Sequence, residues 1–320
     1  MTRYAEALAA FRHPLLWPVD PSGNDDEEPR DLGGALVERR DVLEMLSPSS
    51  IAQLQQHLES TAAAAVAQLP TNQTVELFRD FAQPWCHSLA MTITGSDASD
   101  REQLSRWGDR ALEGGAAKDE SLALFKRHFA NSAVPLAQQT FLGISQTTPR
   151  LLVNSWLALL RHPAEVKRLR ADLGLMPRAV EELLRYAGII PTLFRRAREA
   201  VDLGKLHLAD GDRVHLMIAV ANRDPAQFSD PDQIDVTRRA TGQLALGLGR
   251  SSCAGAWLVR AVLAAGTSAL LRRFGSLEVV RAGPEIVRTG FSWSGPVHVR
   301  LFSTVDQLHE AMPTLAQEEE

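Results

Sequence analysis

Long stretches with helical spacing of apolar residues dominate the first half of the chain. Residues 47–69 open with Ser and Pro, which favour a helix N-terminus, and then show one apolar face. A second helical stretch covers residues 75–95 and is interrupted by Pro84. A third runs from about 133 to 160, where the internal Pro149 predicts a kink or a disturbed hydrogen bond.

The second half mixes element types. A helix is predicted around residues 177–188, followed by short strand-like pieces and by a Pro- and Asp-rich segment, 222–238, without regular periodicity. A Gly-rich turn (247–255) leads into an apolar-striped helix that is expected to end on basic residues and Gly275. Short strands close the pattern, so the sequence predicts a mainly α protein with small β-sheets (α+β).

Composition and charge narrow the classes of protein. The 320 residues carry 34 Lys plus Arg against 39 Asp plus Glu, a net charge of −5 that disfavours a nucleic-acid binder. Two distant cysteines, Cys86 and Cys253, exclude a disulfide scaffold and favour the cytoplasm. The start of the chain is charged and no run of 18 apolar residues occurs, so we expect neither export nor a membrane span.

Three regions are predicted along the chain. Residues 1–34 include a cluster of Pro, Gly and acids and are expected to form a partly disordered N-terminal arm. Residues 35–305 are predicted to form the main domain, and 306–320 an acidic tail.

The Gly-rich turn carries the candidate chemistry. Its glycines allow positive φ angles and close approach of a flat partner, and Cys253 is predicted at a helix N-terminus, where the helix dipole favours a thiolate. A single cysteine is more often a buried packing residue, and Cys86 is assigned to that class. A dinucleotide fingerprint would need Gly at Ser252, and the Gly-Lys-Ser/Thr ending of a P-loop is absent.

Several ordered segments resemble the bacterial cytochrome P450 family. The sequence LALGLGRSSCAGAWLVR is similar to the family's haem-binding loop, EELLR to its Glu-x-x-Arg pair, and VANRDPAQFSDPDQIDVTR to its meander. QTTPRLLVNSWLALLRHP resembles the end of the distal helix, and ERRDVLEMLSPSSIAQL the segment after the haem-contacting helix. The resemblance spans residues 35–302 and implies a cytochrome P450-like fold.

The resemblance implies haem b (iron protoporphyrin IX) with Cys253 as the axial thiolate, which favours O–O bond cleavage at the opposite face. Glu182 and Arg185 are implied to form a structural ion pair, and Arg39 and Arg195 to bind the propionates. Ser251 stands where the family has a basic residue, and Arg250 is the candidate substitute. The remaining cofactor-binding positions of the loop are Leu246, Gly247, Gly249 and Gly255.

The chain departs from the family pattern near the distal helix. Thr147 keeps the family's hydroxyl, and its alternative is an ordinary helix residue bonded to a preceding carbonyl. Thr147 and Gln146 are the catalytic candidates. Because Gln146 replaces an acid and cannot ionise, the proton relay is predicted to be weakened. Gln233 replaces the basic meander residue expected to join Glu182 and Arg185, and Leu246 replaces an aromatic residue.

The chain is also short. The sequence before Arg39 is too short for the family's N-terminal sheet and helices, and residues 95–140 are fewer than its lid helices need. A truncated N-terminal region and shortened lid helices therefore predict an open distal pocket, completed by a homodimer, by a partner protein or by other residues.

The favoured function is a haem-thiolate monooxygenase acting on a small organic substrate of the secondary-metabolite type. Electrons are expected from a ferredoxin and its reductase, because no flavin or iron–sulfur motif is present. Peroxide-driven or redox-neutral rearrangement chemistry is one alternative, motivated by Gln146. A non-catalytic P450-like partner protein is another. A hydrolase using Cys253 is less favoured, since no histidine is positioned as a base.

Overall fold

In the computed structural model, the described residues are 1–19, 32–112, 115–204, 206–249, 252–288 and 291–303. The helices among them are α1 (Tyr4–Arg12), α2 (Leu32–Met45), α3 (Pro48–Ala67), α4 (Gln83–Thr94), α5 (Arg101–Ala111), α6 (Gly115–His128), α7 (Ala137–Leu142), α8 (Thr148–Leu160), α9 (Pro163–Ala171), α10 (Met176–Ala187), α11 (Ile218–Ala221) and α12 (Ala256–Arg273). None of these helices has the length and apolar content needed to cross a membrane.

The strands are short and form four small antiparallel sheets. They are β1 (Leu16–Pro18), β2 (Thr74–Glu76), β3 (Leu193–Ala197), β4 (Val201–Leu203), β5 (Leu206–Leu208), β6 (Arg213–Leu216), β7 (Phe274–Ala282), β8 (Glu285–Arg288), β9 (Phe291–Ser294) and β10 (Val297–Ser303). Two sheets have three strands each, in the orders β1-β3-β6 and β2-β10-β7, while β4-β5 and β8-β9 are two-stranded. The predicted helix-rich architecture with small sheets is confirmed.

The largest core forms where α3, α8 and α10 pack around α12. The start of α3 follows the predicted signals, because Ser47 Oγ accepts a hydrogen bond from Ser50 N and Pro48 occupies the first turn. Ile51 and Leu58 on its apolar face are buried. The apolar face of α3 thus packs against α12, the helix that directly follows the cysteine loop.

Both prolines predicted to interrupt helices directly follow a turn in which the α-helical hydrogen bonding is disturbed. Pro84 begins α4 directly after a π-helical turn at Phe78–Ala82, and Pro149 begins α8 after another at Gly143–Thr147. The helical backbone is continuous here, since Gln83 N donates to the Phe78 carbonyl and Thr148 N to the Gly143 carbonyl, one residue further back than in an α-helix. A proline has no N–H group to donate in the regular α-helical pattern. The widened turns absorb the change in hydrogen-bond register.

The end of α12 differs from the prediction. The helix keeps its basic C-terminal residues Arg272 and Arg273, but the chain passes straight into β7 at Phe274 with an extended backbone. Gly275 therefore lies within a strand and does not cap the helix. The apolar side chain of Phe274, 1% exposed, explains why the chain turns into the sheet at this point.

The first 19 residues are more ordered than the predicted arm. Helix α1 and β1 pack on β3–β6 in a second apolar cluster, and the Met1 amino group donates to the His215 carbonyl at 2.7 Å. β1 pairs with β3, so this short segment adds one edge strand to the β3–β6 sheet. The acidic part of the arm and the tail at 306–320 lie outside the described residues.

Gly266 in α12 gives a test of core packing. A Cβ there would lie 2.9 Å from Trp85 Cζ3 and 3.1 Å from Trp156 Cζ2, whose rings are buried. We expect Gly266→Ala to lower the free energy of unfolding by about 1–3 kcal/mol, because overpacking outweighs the gain in helix propensity. The matched control is Gly143→Ala, where no atom lies within 4 Å of the new Cβ. Urea unfolding followed by circular dichroism measures both; equal stability of the two variants would contradict the packing argument.

Candidate functional site

Cys253 sits on a tightly closed loop immediately before α12. The Cys253 N–H donates to the Leu246 carbonyl at 2.7 Å, and Ser252 N donates to the Gly249 carbonyl at 3.1 Å. Gly247 and Gly249 adopt φ angles of 68° and 70°, a conformation that side chains disfavour. The loop geometry therefore requires the two glycines that the sequence analysis assigned to it.

The sulfur of Cys253 faces an apolar cavity of about 290 Å³. The loop contributes Ala245, Leu246 and Gly247 to its wall, and α12 contributes Val259. Gly249 is exposed and does not line it, and an ideal Cβ on Gly255 would lie 4.0 Å from Cys253 Sγ.

Apolar residues from three other parts of the chain complete this cavity. They are Leu151 on α8, Leu184 on α10, Gly188, Ile189, Ile190 and Leu193 in and after the α10–β3 connection, and Phe291 on β9. Sequence analysis did not identify Ile189, Ile190 or Phe291, since nothing in their local pattern marks a site. Apolar walls of this kind suit a flat hydrophobic ligand.

Burial dominates the electrostatics of the cysteine. It raises the pKa of the Cys253 thiol, while a hydrogen bond from the Gly255 backbone and the positive charges of Arg39 and Arg260 act in the opposite direction. Burial thus opposes the thiolate form that the loop and the nearby cations favour. Cys86, by contrast, is completely buried in the core, as predicted for a packing residue.

The predicted propionate-binding arginines occupy different environments. Arg39 Nη2 donates to the Ser252 carbonyl and lies 3.4 Å from its Oγ, so this cation stands beside the cysteine loop. Arg195 is 3% exposed, stacks 5.0 Å from the centre of the Phe11 ring, and does not line the cavity. Burial lowers the pKa of Arg195 to about 10. Arg250 and Ser251 lie outside the described residues.

The end of the second π-helical turn also contributes to the cavity wall. Thr147 and Thr148 both line the cavity, and their hydroxyls donate to the Gly143 carbonyl at 2.7 and 2.9 Å. These bonds match the alternative of a helix hydroxyl bonded to a preceding carbonyl. The hydroxyl oxygen of Thr147 keeps acceptor capacity toward the cavity.

Gln146 points away from the cysteine. Its Oε1 accepts a hydrogen bond from Arg150 Nη1 at 3.0 Å, and an ideal Cβ on Gly108 of α5 would lie 2.2 Å from its Nε2. Gln146 is buried and absent from the cavity wall. Gln146 therefore does not share the cavity wall with Thr147. Its side chain instead packs between the π-helical turn and α5.

The lid region consists of α5 and α6, which pack on each other and on α7 through aromatic rings. The Trp107–Phe125 and Phe125–Phe141 ring centroids lie 5.6 Å apart. No described residue of α5 or α6 lines the cavity. The shortened helices therefore form a compact aromatic cap beyond the π-helical turn.

Glu182 and Arg185 form a fully buried, bidentate ion pair with both distances at 2.8 Å. Arg185 also donates to the carbonyls of Asn222, Pro231 and Gln233. The third partner expected at Gln233 is supplied by Arg238, whose Nε lies 3.0 Å from Glu182 Oε1. Sequence analysis missed Arg238 because it stands five residues further along an irregular segment.

The chemistry of these residues fits a haem, while the cavity of about 290 Å³ encloses only part of the space that a macrocycle needs. A single thiol faces a largely apolar cavity, a cation stands next to the loop that carries the thiol, and hydroxyl groups also line the cavity. The donor set is that of a porphyrin site, since the macrocycle supplies four nitrogen ligands itself and needs only one from the protein.

Comparison with known proteins gives the same picture. The family model for cytochrome P450 matches residues 165–289. The biotin biosynthesis cytochrome P450 of Bacillus subtilis is 28% identical over 271 residues, covering 73% of this chain and 69% of that protein. Cytochrome P450 107B1 of Saccharopolyspora erythraea is 39% identical over 148 residues, covering 46% of this chain and 36% of that protein.

Solved structures match over nearly the whole chain. P450BioI in complex with an acyl carrier protein superposes with a TM-score of 0.83 at 23% identity, covering 94% of this chain and 91% of that one. A mutant of P450 EryK in complex with erythromycin B gives 0.82 at 20% identity, with coverages of 95% and 90%. At these identities the likeness establishes the fold.

The family model, the bacterial relatives and the solved structures together support membership of the bacterial cytochrome P450 family. This confirms the family, the fold class and the enzyme class, an oxidoreductase of the monooxygenase type, that the sequence predicted. The family implies haem b with a cysteine thiolate as axial ligand, and Cys253 is the cysteine positioned for it.

The contribution of the Glu182–Arg185 pair to folding stability can be tested by substitution. We expect Arg185→Met to lower the free energy of unfolding by about 3–5 kcal/mol, because Glu182 would remain charged and buried without its main partner. Arg106→Met is the matched control, since its pair with Glu102 is exposed at 3.8 Å and should change stability by less than about 0.5 kcal/mol. Denaturant unfolding compares the two, and similar losses would show that the buried pair contributes no more than a surface one.

Proposed function

We propose that the protein is a haem-thiolate monooxygenase acting on a small, largely apolar organic molecule. The observation that carries this proposal is the cavity lined by both Cys253 and Thr147. Bound haem would supply the capacity to activate dioxygen with electrons delivered from outside. The chain's own groups would bind the substrate, exclude water, hold a hydrogen bond and offset charge around the haem.

The apolar wall would bind the substrate and exclude water. Ile189, Ile190 and Phe291 lie on a connection and a strand outside the cysteine loop, so their side chains can select substrates without disturbing the ligand. Relatives include a biotin biosynthesis cytochrome P450 and the monooxygenase PikC of Streptomyces venezuelae, the latter 39% identical over 143 residues. These names support a small biosynthetic intermediate as the substrate class, including secondary metabolites.

Thr147 is proposed to hold a hydrogen bond next to the reacting atoms. Its hydroxyl hydrogen is directed at the Gly143 carbonyl, which leaves the oxygen to accept a proton donor, such as a water molecule, in the cavity. Arg39 is proposed to offset negative charge at the edge of the haem. Arg195 and Arg250 are proposed as further cations for the propionates, and Ser251 as a neutral hydrogen-bond donor to them.

Electrons are proposed to come from a separate ferredoxin system, with the protein working in the cytoplasm. The broad groove between α3, α10 and α12 is a surface suited to such a partner. It is partly formed by α12, which follows the cysteine loop, and presents Trp257, 51% exposed, together with Arg272, while Arg260 in its wall is paired with Glu181. Cations at this face complement an acidic electron carrier.

A peroxide-driven or redox-neutral reaction is the second candidate, and the direction of Gln146 favours it. No carboxylate lines the described part of the Cys253 cavity, so the protein's own proton relay to the site is limited to hydroxyl groups and water. Turnover supported by peroxide alone would favour this candidate. Strict dependence on reduced ferredoxin and dioxygen would exclude it.

Ligation by Cys253 is tested by absorption spectroscopy. The purified protein should show a Soret band whose position with carbon monoxide after reduction is that of a thiolate-ligated haem. Cys253→Ala should abolish this signature, because no other described cysteine reaches the cavity. Cys86→Ala, the matched control, should retain it, since Cys86 is enclosed in the core. A colourless wild-type protein would contradict the proposed function.

The role of Arg39 is tested by haem retention. Arg39→Ala should release haem to apomyoglobin faster than wild type, because it removes a cation bonded to the cysteine loop. Arg40→Ala is the matched control, as the neighbouring side chain is 77% exposed and faces Asp41. Equal release rates for both variants would exclude a cofactor-binding role for Arg39.

A further inference from the structure

A second cavity, of about 250 Å³, lies beside the cysteine site and shares no lining residue with it. Its apolar walls come from Phe78 in the first π-helical turn, Val153 on α8, and Ile286 and Trp293 on the β8–β9 hairpin. Arg150 on α8 also lines it. The cavity thus combines aromatic surfaces with one cation.

Aromatic rings hold the guanidinium group of Arg150. Its Cζ lies 4.8 Å from the centre of the Phe78 ring and 5.0 Å from that of Trp293. Contacts of a cation with two ring faces restrict the rotamers of the arginine. The side chain is therefore positioned in advance, and binding through it would cost little conformational entropy.

The hydrogen-bonding capacity of Arg150 is only partly used. Nη1 donates to the carbonyl and Oε1 oxygens of Gln146, at 2.6 and 3.0 Å. Nε is buried without an acceptor, and Nη2 has no acceptor within the described part of the chain. An arginine has five N–H donors, so most of the fork that would match a carboxylate is unpaired.

The charge of Arg150 is also incompletely balanced. No salt bridge of Arg150 occurs among the described residues, and the acid that acts on its pKa is Asp109. Burial lowers the pKa of Arg150 to about 10, so the group is still a cation at neutral pH. A partly buried cation with no carboxylate in direct contact favours binding of an anion.

Glu76 is the other ionisable residue in the wall, and its carboxylate is engaged elsewhere. Its oxygens accept hydrogen bonds from the backbone N–H groups of Phe78 at 3.1 Å, Arg79 at 2.8 Å and Val297 at 3.1 Å. These bonds direct the negative charge at the backbone of the first π-helical turn and β10. Glu76 therefore does not neutralise Arg150.

We propose that this cavity is a binding site for a small organic carboxylate with an aromatic or apolar body. The carboxylate would accept hydrogen bonds from Arg150, and the body would pack between Trp293, Ile286 and Val153. A cavity of about 250 Å³ lies slightly below the usual range for drug-sized ligands, so the ligand is a small molecule. The site is independent of the haem chemistry proposed above, since no cysteine-site residue takes part.

Benzoate and its neutral isostere benzamide are suitable probes. With the purified holoprotein, isothermal titration calorimetry should show benzoate binding more tightly than benzamide by at least about tenfold, the ratio expected for one charge-assisted hydrogen bond. Arg150→Met should remove this preference, and Arg150→Lys should retain part of it. Arg79→Met is the matched control, because Arg79 is exposed beside the same turn and pairs with Asp80.

Two further measurements make the result decisive. The Soret band should stay unchanged while benzoate saturates, because the probe does not enter the cysteine cavity. Thermal unfolding of Arg150→Lys confirms that a variant with altered binding is still folded. Equal affinity for the two probes, full benzoate binding by Arg150→Met, or a Soret shift that tracks binding would each overturn the proposal. A haem-free protein that still prefers benzoate would refute the proposed function and leave this site standing.

Discussion

The buried ion pair between Glu182 and Arg185 is the interaction on which the site depends. Two charges without solvent contact are stable only because every available group is paired, and here the partners are the backbone of the irregular segment that follows. A segment with neither helix nor sheet has few other ways to satisfy its carbonyl groups. The pair therefore gives residues 222–238 a defined path.

That path continues directly into the cysteine loop. Asn222, whose carbonyl is bonded to Arg185, accepts a hydrogen bond from Leu244 N through its side chain at 2.7 Å. Leu246 lies two residues further on and receives the bond from Cys253 N. On the neighbouring face of α10, Glu181 pairs with Arg260 of α12. One helix thus orients both sides of the loop that presents the sulfur.

Local patterns carried enough information to predict the proximal side. Gly247 and Gly249 adopt the positive φ angles expected of them, and Cys253 faces the cavity, because loop conformation and helix initiation depend on neighbouring residues. Arg238 was not predictable as the third partner of Glu182. Its reach depends on how an aperiodic segment folds back on α10, which spacing alone does not encode.

The distal side depends on packing over longer distances. The sequence determined that residue 146 cannot ionise and that residue 147 carries a hydroxyl. It also determined the helix-forming stretches, the cysteine loop and the acidic-basic pair on α10, since all of these follow from residue type and short-range spacing. Only the tertiary structure decided that Gln146 faces α5, that Ile189 and Phe291 close the cavity, and that Arg150 lies between Phe78 and Trp293. Those contacts join residues far apart in sequence, and their geometry is set by helix packing and sheet register, which no local pattern contains.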